Sequence, residues 1–406
     1  MGIDWLGGYS GPRIAVKHSY DILLGKMVQP APVTDDDLEV EYLNSASVQW
    51  NGIEVNPDKT MWATPAEIRK LSVRSGDLLI CEGGDVGRSS IYEGTAGRIF
   101  QNSIHRARSY QGNDVRYLKY LLTSLHGSGW LDILCNKATI AHFTVEKLGS
   151  LEIPHISIQE QRRISDFLDI ETARIDQLVA LRNLQVTKLL ATLQGEAGRV
   201  AGPEWQKLPL RRVVDTVQTG TTPIEILQPV DFGNIPWYTP AALGGTLDLH
   251  DAEKSIRRED IRTVPRFPAE SILIVGIGES LGKVADLDHE ATGNQQLTAI
   301  KTCGSVDRRF VAWRLFAAYE EVRAWAQYSR VRILNNDVLK SFAIPVPSLE
   351  CQIEVRKELD HRLVHFAEFR EAAGRFSILA SKRRQGLITA AVTGQIDVTT
   401  ARGAAV

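Results

Sequence analysis

A chain of 406 residues, 43% hydrophobic and 24% charged, has the composition of an ordinary soluble protein and the length of two or three domains. A net charge of −2 gives no global field for nucleic acid, although local patches decide phosphate binding. No apolar run reaches the roughly 18 residues of a membrane span, and "MGIDWLGGYSGPR" lacks a secretory signal pattern. Four dispersed cysteines without a C-x-x-C predict a reducing, cytoplasmic setting rather than a zinc site.

Read in chain order, "EYLNSA" from Glu41 is strand-like, and "GDLLICEGGDVGRSSIY" from Gly76 reads as strand, glycine turn, strand. "FQNSIHRAR" from Phe100 and a helical "YLKYLLTS" from Tyr117 follow. "TIAHFTVEKLGSLEIP" then leads through a proline turn into a long helix. From Ser157 to about Gln194 there is no proline, and Ile164, Phe167, Leu168, Ile175, Leu178, Leu181 and Leu184 recur at threes, fours and sevens. "GEAGRVAGPEW", Gly195 to Trp205, reads as a linker.

The second half repeats this order. "PWYTPA" from Pro236 matches "EYLNSA", and "ESILIVGIGESLGKVADL" from Glu270 matches the glycine hairpin. "GNQQLTAIK" from Gly293 matches "FQNSIHRAR", and "FVAWRLFA" from Phe310 matches "YLKYLLTS". "VRILNNDVLKSFAIP" matches the entry to the first long helix. Leu148 pairs with Leu339 and Pro154 with Pro345 at one common offset, so a unit of about 190 residues occurs twice. A second long helix from Glu350 to about Val392 carries Val355, Leu359, Leu363, Phe366, Phe369, Ala373, Phe376 and Leu379 at coiled-coil spacing. A helix of about 35 residues is roughly 50 Å long and cannot bury such a stripe alone, so the two helices are expected to pair with each other.

"SILIVGIGESLG", residues 271–282, looks like a phosphate loop, but "KVADLDHEATGN" after it alternates like a strand, and no carboxylate stands about 20 positions on for a ribose. Its partner "DLLICEGGDVGR" keeps Gly87 opposite Gly282 and loses the G-x-G, so the shared feature is a hairpin with a glycine turn. "NIPWY" (Asn234 to Tyr238) is similar to the N-P-P-Y/F element of amino-methyltransferases, but its repeat partner "VEYLN" has no trace of it. "HRLVH" sets His361 and His365 one turn apart with Arg362 where a metalloprotease needs Glu, and reads as the outer face of a paired helix.

Polar and basic residues cluster on the predicted loops of both copies. In the first they are Arg88, Gln101, Asn102, His105, Arg106, Arg108, Lys137 and His142. In the second they are Thr219, Thr221, Thr222, Lys283, Asn294, Gln295, Gln296, Arg330 and Arg332. Arginine and lysine suit guanine edges and phosphates, and asparagine and glutamine suit adenine edges, so these are the candidate DNA-binding residues. No catalytic or metal-ligating set stands out.

The order of globular part, "IQEQRRI" helix, linker, second globular part and "IPVPSLECQ" helix resembles the specificity subunit of type I restriction–modification systems. "YLNSASVQWNG" and "SGWLDILCNKATIAHFTVEKLGSLEIP" are similar to that family's first target-recognition domain, and "TGTTP", "NIPWYTPA" and "GNQQLTAI" to its second. Cys351 and Ile353 depart from the charged run usual in the second helix. The resemblance implies an α+β chain: two mixed α/β target-recognition domains separated by two long antiparallel helices forming a coiled coil, in a pseudo-twofold repeat. The corresponding division is residues 1–150 (first recognition domain), 151–200 (central helical spacer and linker), 201–344 (second recognition domain), 345–395 (C-terminal helical spacer) and 396–406 (tail).

It also implies a non-catalytic chain that reads a bipartite site on double-stranded DNA. Two modification subunits, with restriction subunits where present, would methylate adenine and restrict. S-adenosylmethionine, ATP and Mg2+ are expected on those partners and no cofactor on this chain. Two other readings of the residues are a self-contained adenine methyltransferase and a helical scaffold without a DNA role.

Overall fold

The computed structural model describes residues 5–6, 9–135, 142–200, 205–223, 234–328 and 332–400. The chain divides into two compact units: Met1–Ala180 with Arg375–Val406, and Leu181–Gly374.

The first unit is built on a four-stranded antiparallel sheet of β1 (Tyr20–Leu24), β2 (Leu78–Cys81), β3 (Ser89–Ile91) and β4 (Ile104–Ser109), in the order β1-β4-β2-β3. The run Leu78-Leu79-Ile80-Cys81 is buried on both faces, as an unbroken apolar run between turn signals requires. Leu78 and Ile80 face α1 (Val115–Gly127), whose Tyr117, Leu118, Leu121 and Leu125 fill the same core. Leu79 and Cys81 face a second core under a three-stranded sheet of Thr60–Ala63, Leu38–Leu43 and Ile99–Phe100. Arg13–Ala15 pairs with Glu152–Pro154 to close the unit before α2 (Ile158–Arg199).

The second unit has the same plan. Its four-stranded sheet of β5 (Val214–Thr219), β6 (Ser271–Val275), β7 (Val284–Leu287) and β8 (Leu297–Thr302) runs β5-β8-β6-β7. Lys254–Ile256, Ile235–Tyr238 and Thr292–Gly293 form the three-stranded sheet, and Lys207–Pro209 pairs with Ala343–Pro345. α3 (Arg308–Ala317) takes the place of α1, and α4 (Leu349–Val392) follows the last strand. Both α1 and α3 start at an aspartate cap: Asp114 accepts from the Arg116 amide, and Asp307 from the Phe310 amide.

"SILIVGIGESLG" is β6 and the turn into β7, whose strands pair antiparallel from Ser271–Leu287 to Ile274–Val284. No helix opens behind the glycines, so the turn offers no helix N-terminus to a pyrophosphate. Gly282 has φ +92° and its amide donates to the Val275 carbonyl; Gly87 has φ +80° and donates to Cys81. The glycine shared by the two copies is thus required by left-handed backbone at the turn.

Within each unit a segment of α2 packs on a segment of α4 running the other way. In the first unit Ile164 and Leu168 share a core with Ile388, Ala391 and Val392, and Arg384 pairs with Asp176 at 3.4 Å. In the second, Leu193 and Ala197 share a core with Leu359, Leu363 and Phe366, and Arg362 pairs with Glu196 at 2.6 Å. Three details differ from the sequence reading. Of the stripe expected on α2, Leu178, Leu181 and Leu184 are exposed. α2 continues through Gly195 to Arg199, because Leu193 and Ala197 are buried and the Arg314 guanidinium donates to the Ala197 carbonyl. Leu379 is exposed: Ala380, seven residues after the buried Ala373, holds the inward position.

Asp77, 1% exposed, takes two 2.6 Å bonds from the Arg108 guanidinium and one from the Arg74 amide. Replacing Asp77 with Asn removes the charge from a nearly buried pair. The expected loss is about 3 kcal/mol in the denaturant-unfolding free energy of the chain. A change within experimental error would show that the pair does not hold this unit.

Candidate nucleic-acid interface

In the second unit the candidate residues gather where β5 ends against the turn before β8. The Gly220 amide donates to the Leu297 carbonyl at 2.9 Å and the Thr221 amide to Gly293 at 2.8 Å. Thr219 Oγ1 meets Thr298 Oγ1 at 2.9 Å and donates to Asn336 Oδ1 at 3.1 Å. Thr222, exposed, donates through its hydroxyl to Gln295 Oε1 at 2.7 Å. Asn294, 8% exposed, is the internal brace of the turn: its Oδ1 accepts from the Gln296 amide and its Nδ2 donates to Gln296 Oε1.

The glycine hairpin joins the same ledge. The Gly276 amide donates to the Gln296 carbonyl at 2.8 Å, the Gly278 amide to Arg332 at 3.3 Å, and the Leu334 amide to Gly276 at 2.8 Å. Gln296 Nε2 reaches the Ile277 carbonyl at 3.4 Å. Arg332 and Gln295 are exposed on this ledge, and Lys283 is half-buried just beyond the turn. Hydroxyl, amide and guanidinium groups held together by backbone bonds make a surface that can read base edges. Arg330 lies outside the described residues.

The first unit repeats the ledge with other side chains. The Gly25 amide donates to Ile104, Lys26 to Phe100, Gln101 to Leu43, and Glu82 to Ser103. These match Gly220, Thr221, Asn294 and Gly276 one for one. Phe143 donates to Glu82 as Leu334 does to Gly276. Gln101 and Asn102 are half-buried on this turn, and Gln101 Oε1 accepts from the Ser103 hydroxyl at 3.4 Å. His142 is exposed, and Lys137 lies outside the described residues.

His105, Arg106 and Arg108 sit on β4, paired on one side with β1 and on the other with β2. His105 is fully buried, its Nε2 is 2.6 Å from the Phe143 carbonyl, and burial pushes its pKa down, favouring the neutral ring. Arg106, 3% exposed, donates to the Lys70 carbonyl and to Asp21 at 3.1 Å each. Arg108 is held by Asp77. The basic string "HRAR" thus braces the sheet from within, because every position of a central strand has neighbours on both edges. Arg88 is held similarly, donating to the Ser45 carbonyl at 2.9 Å with Asp85 at 3.5 Å.

Some residues of this region carry no local sequence signal. Lys26 stands where Thr221 stands, its ammonium held by Glu67 at 2.7 Å and Gln29 at 2.9 Å; aligning Gly25 with Gly220 would have found it. Asp85 takes hydrogen bonds from Trp50 Nε1 at 3.2 Å and pairs with His126 Nε2 at 2.8 Å, while the Trp50 and His126 rings lie 4.8 Å apart. Only the fold brings these three together.

Residues 203–361 match the family described as the type I restriction modification DNA specificity domain. A chain from a solved structure on the complex assembly and conformational transition of the type I R-M system is 15% identical to it. The likeness covers 95% of this chain and 98% of that one, with a TM-score of 0.69, and shows a common fold. The HsdS subunit from Thermoanaerobacter tengcongensis is 16% identical over 96% of this chain and 99% of its own, with a TM-score of 0.49. Among the described residues no helix is long and apolar enough to cross a membrane.

Gly25 and Gly220 seat the two ledges. A Cβ at Gly220 would collide with the carbonyl oxygens of Gly293 and Asn294, and one at Gly25 with those of Phe100 and Gln101. Gly220→Ala should destabilise the second unit, and Gly25→Ala the first, each by about 1–3 kcal/mol. Hydrogen exchange should show faster opening in the substituted unit only. Equal protection in wild type and variant would mean that the close approach is not required.

Proposed function

We propose that this chain is the sequence-specific DNA-recognition subunit of a type I restriction–modification complex, with each unit reading one half of a split site. The observation that carries this reading is the repeated ledge: the same backbone bonds hold different side chains in the two units. Lys26, Gln101 and Asn102 occupy the places of Thr221, Asn294 and Gln295. Equivalent scaffolds with unlike polar edges suit two different base sequences. The near-neutral net charge agrees with phosphate binding shared with partner subunits.

The partners proposed are two modification subunits that bind S-adenosylmethionine and methylate adenine. Restriction subunits would add ATP- and Mg2+-dependent cleavage. Ile170, Leu181, Leu184 and Leu189 on α2 and Ile378 and Leu379 on α4 are exposed, and such apolar side chains on long helices favour a docking surface for those subunits. This chain's own part is recognition, and the methyl transfer belongs to the modification subunits.

Sequencing of methylated DNA from cells with and without the chain tests the reading. The methylated bipartite motif should appear only with it. Gln295→Ala should relax one base position in one half alone, at a cost of about 1–3 kcal/mol in discrimination. A motif that does not depend on the chain, or methyl transfer by the purified chain alone, would contradict it. The gap between half-sites is proposed to follow the length of α2 and α4. Four residues, about one turn, added to both should change the gap and leave both halves intact; an unchanged gap would remove the helices from that role.

A further inference from the structure

His361 and His365 lie one turn apart on the exposed face of α4. Their Nε2 atoms are 3.2 Å apart, with ring centroids at 4.6 Å and planes at 84°. The two rings thus turn the same nitrogen toward a common point. Zinc–imidazole bonds of 2.0–2.1 Å at a tetrahedral angle place two nitrogens about 3.3 Å apart, so the observed separation already fits a bridging ion.

The surroundings favour the same use. Glu368 Oε2 lies 3.5 Å from His365 Nδ1. A carboxylate there favours the proton on Nδ1 and leaves Nε2 as the metal-binding atom, the arrangement that orients most histidine ligands. Arg362, between the two histidines in sequence, is drawn away from them. Its guanidinium pairs with Glu196 at 2.6 Å and with Glu358 at 2.8 Å.

We propose that His361 and His365 form a two-ligand site for a divalent transition-metal ion of the zinc, nickel or copper class, with water in the remaining positions. Among the described residues no group of three or more His, Cys, Asp or Glu side chains could hold a metal, so the protein supplies this pair alone. Imidazole selects these ions over Mg2+, which takes oxygen ligands. An ion bridging positions i and i+4 staples one turn of α4, and binding to the folded helix only raises its stability.

Calorimetric titration of the full chain with NiCl2 tests the assignment, alongside H361Q, H365Q, E368Q and the control H142Q. Circular dichroism of each variant checks the helix. Wild type and H142Q should bind one ion and melt at a higher temperature with it. H361Q and H365Q should each bind at least about tenfold more weakly and lose the rise in melting temperature, and E368Q should fall between. Absence of binding by wild type, or wild-type binding in H361Q and H365Q, would overturn the site.

Discussion

The constraint on which both ledges depend is a glycine seat. Gly220 ends β5 and donates its amide to Leu297, and Gly25 ends β1 and donates to Ile104. At each seat the backbone of the following turn lies where a Cβ would stand. This contact brings the strand end, the turn before the next strand and the glycine hairpin onto one ledge. Side chains on the ledge can then change without disturbing what holds it. Under the proposed function that separation lets main-chain bonds carry the geometry while exposed amides and hydroxyls are free to differ between the two ledges.

The basic residues divide along the same line. Arg106 and Arg108 are tied to Asp21, Asp77 and backbone carbonyls, and Arg314 is tied to the end of α2. Burying a guanidinium is costly unless its donors are filled; Arg108 and most of Arg106 find acceptors within the unit, while the Nε of Arg106 and of Arg314 is buried without one. Arg332 and Gln295 stay exposed. The contrast leaves the ledge rims as the proposed place of recognition and assigns "HRAR" to holding the sheet.

Much of this was legible in the sequence because the chain is written twice. Matching "DLLICEGGDVGR" to "SILIVGIGESLG" gave the hairpin and removed the phosphate loop, since the turn glycine survives in both copies and the G-x-G does not. The long helices followed from proline-free periodicity. Their ends did not: Gly195 argued for a break, but burial of Ala197 and its bond from Arg314 keep the helix intact. Nor could the sequence distinguish Arg106 from Arg332, because strand position and the acidic partners decide burial, and Asp21 is remote in sequence. The meeting of Trp50, Asp85 and His126 is likewise tertiary, as is the convergence of the His361 and His365 nitrogens.

The central claim is that the two ledges touch different halves of one DNA site. Site-specific photo-crosslinking in the assembled complex tests it most directly. A benzophenone side chain at Gln295 should crosslink to bases of one half-site, and one at Asn102 to bases of the other. Crosslinks from both positions to the same half, or to none, would contradict the account.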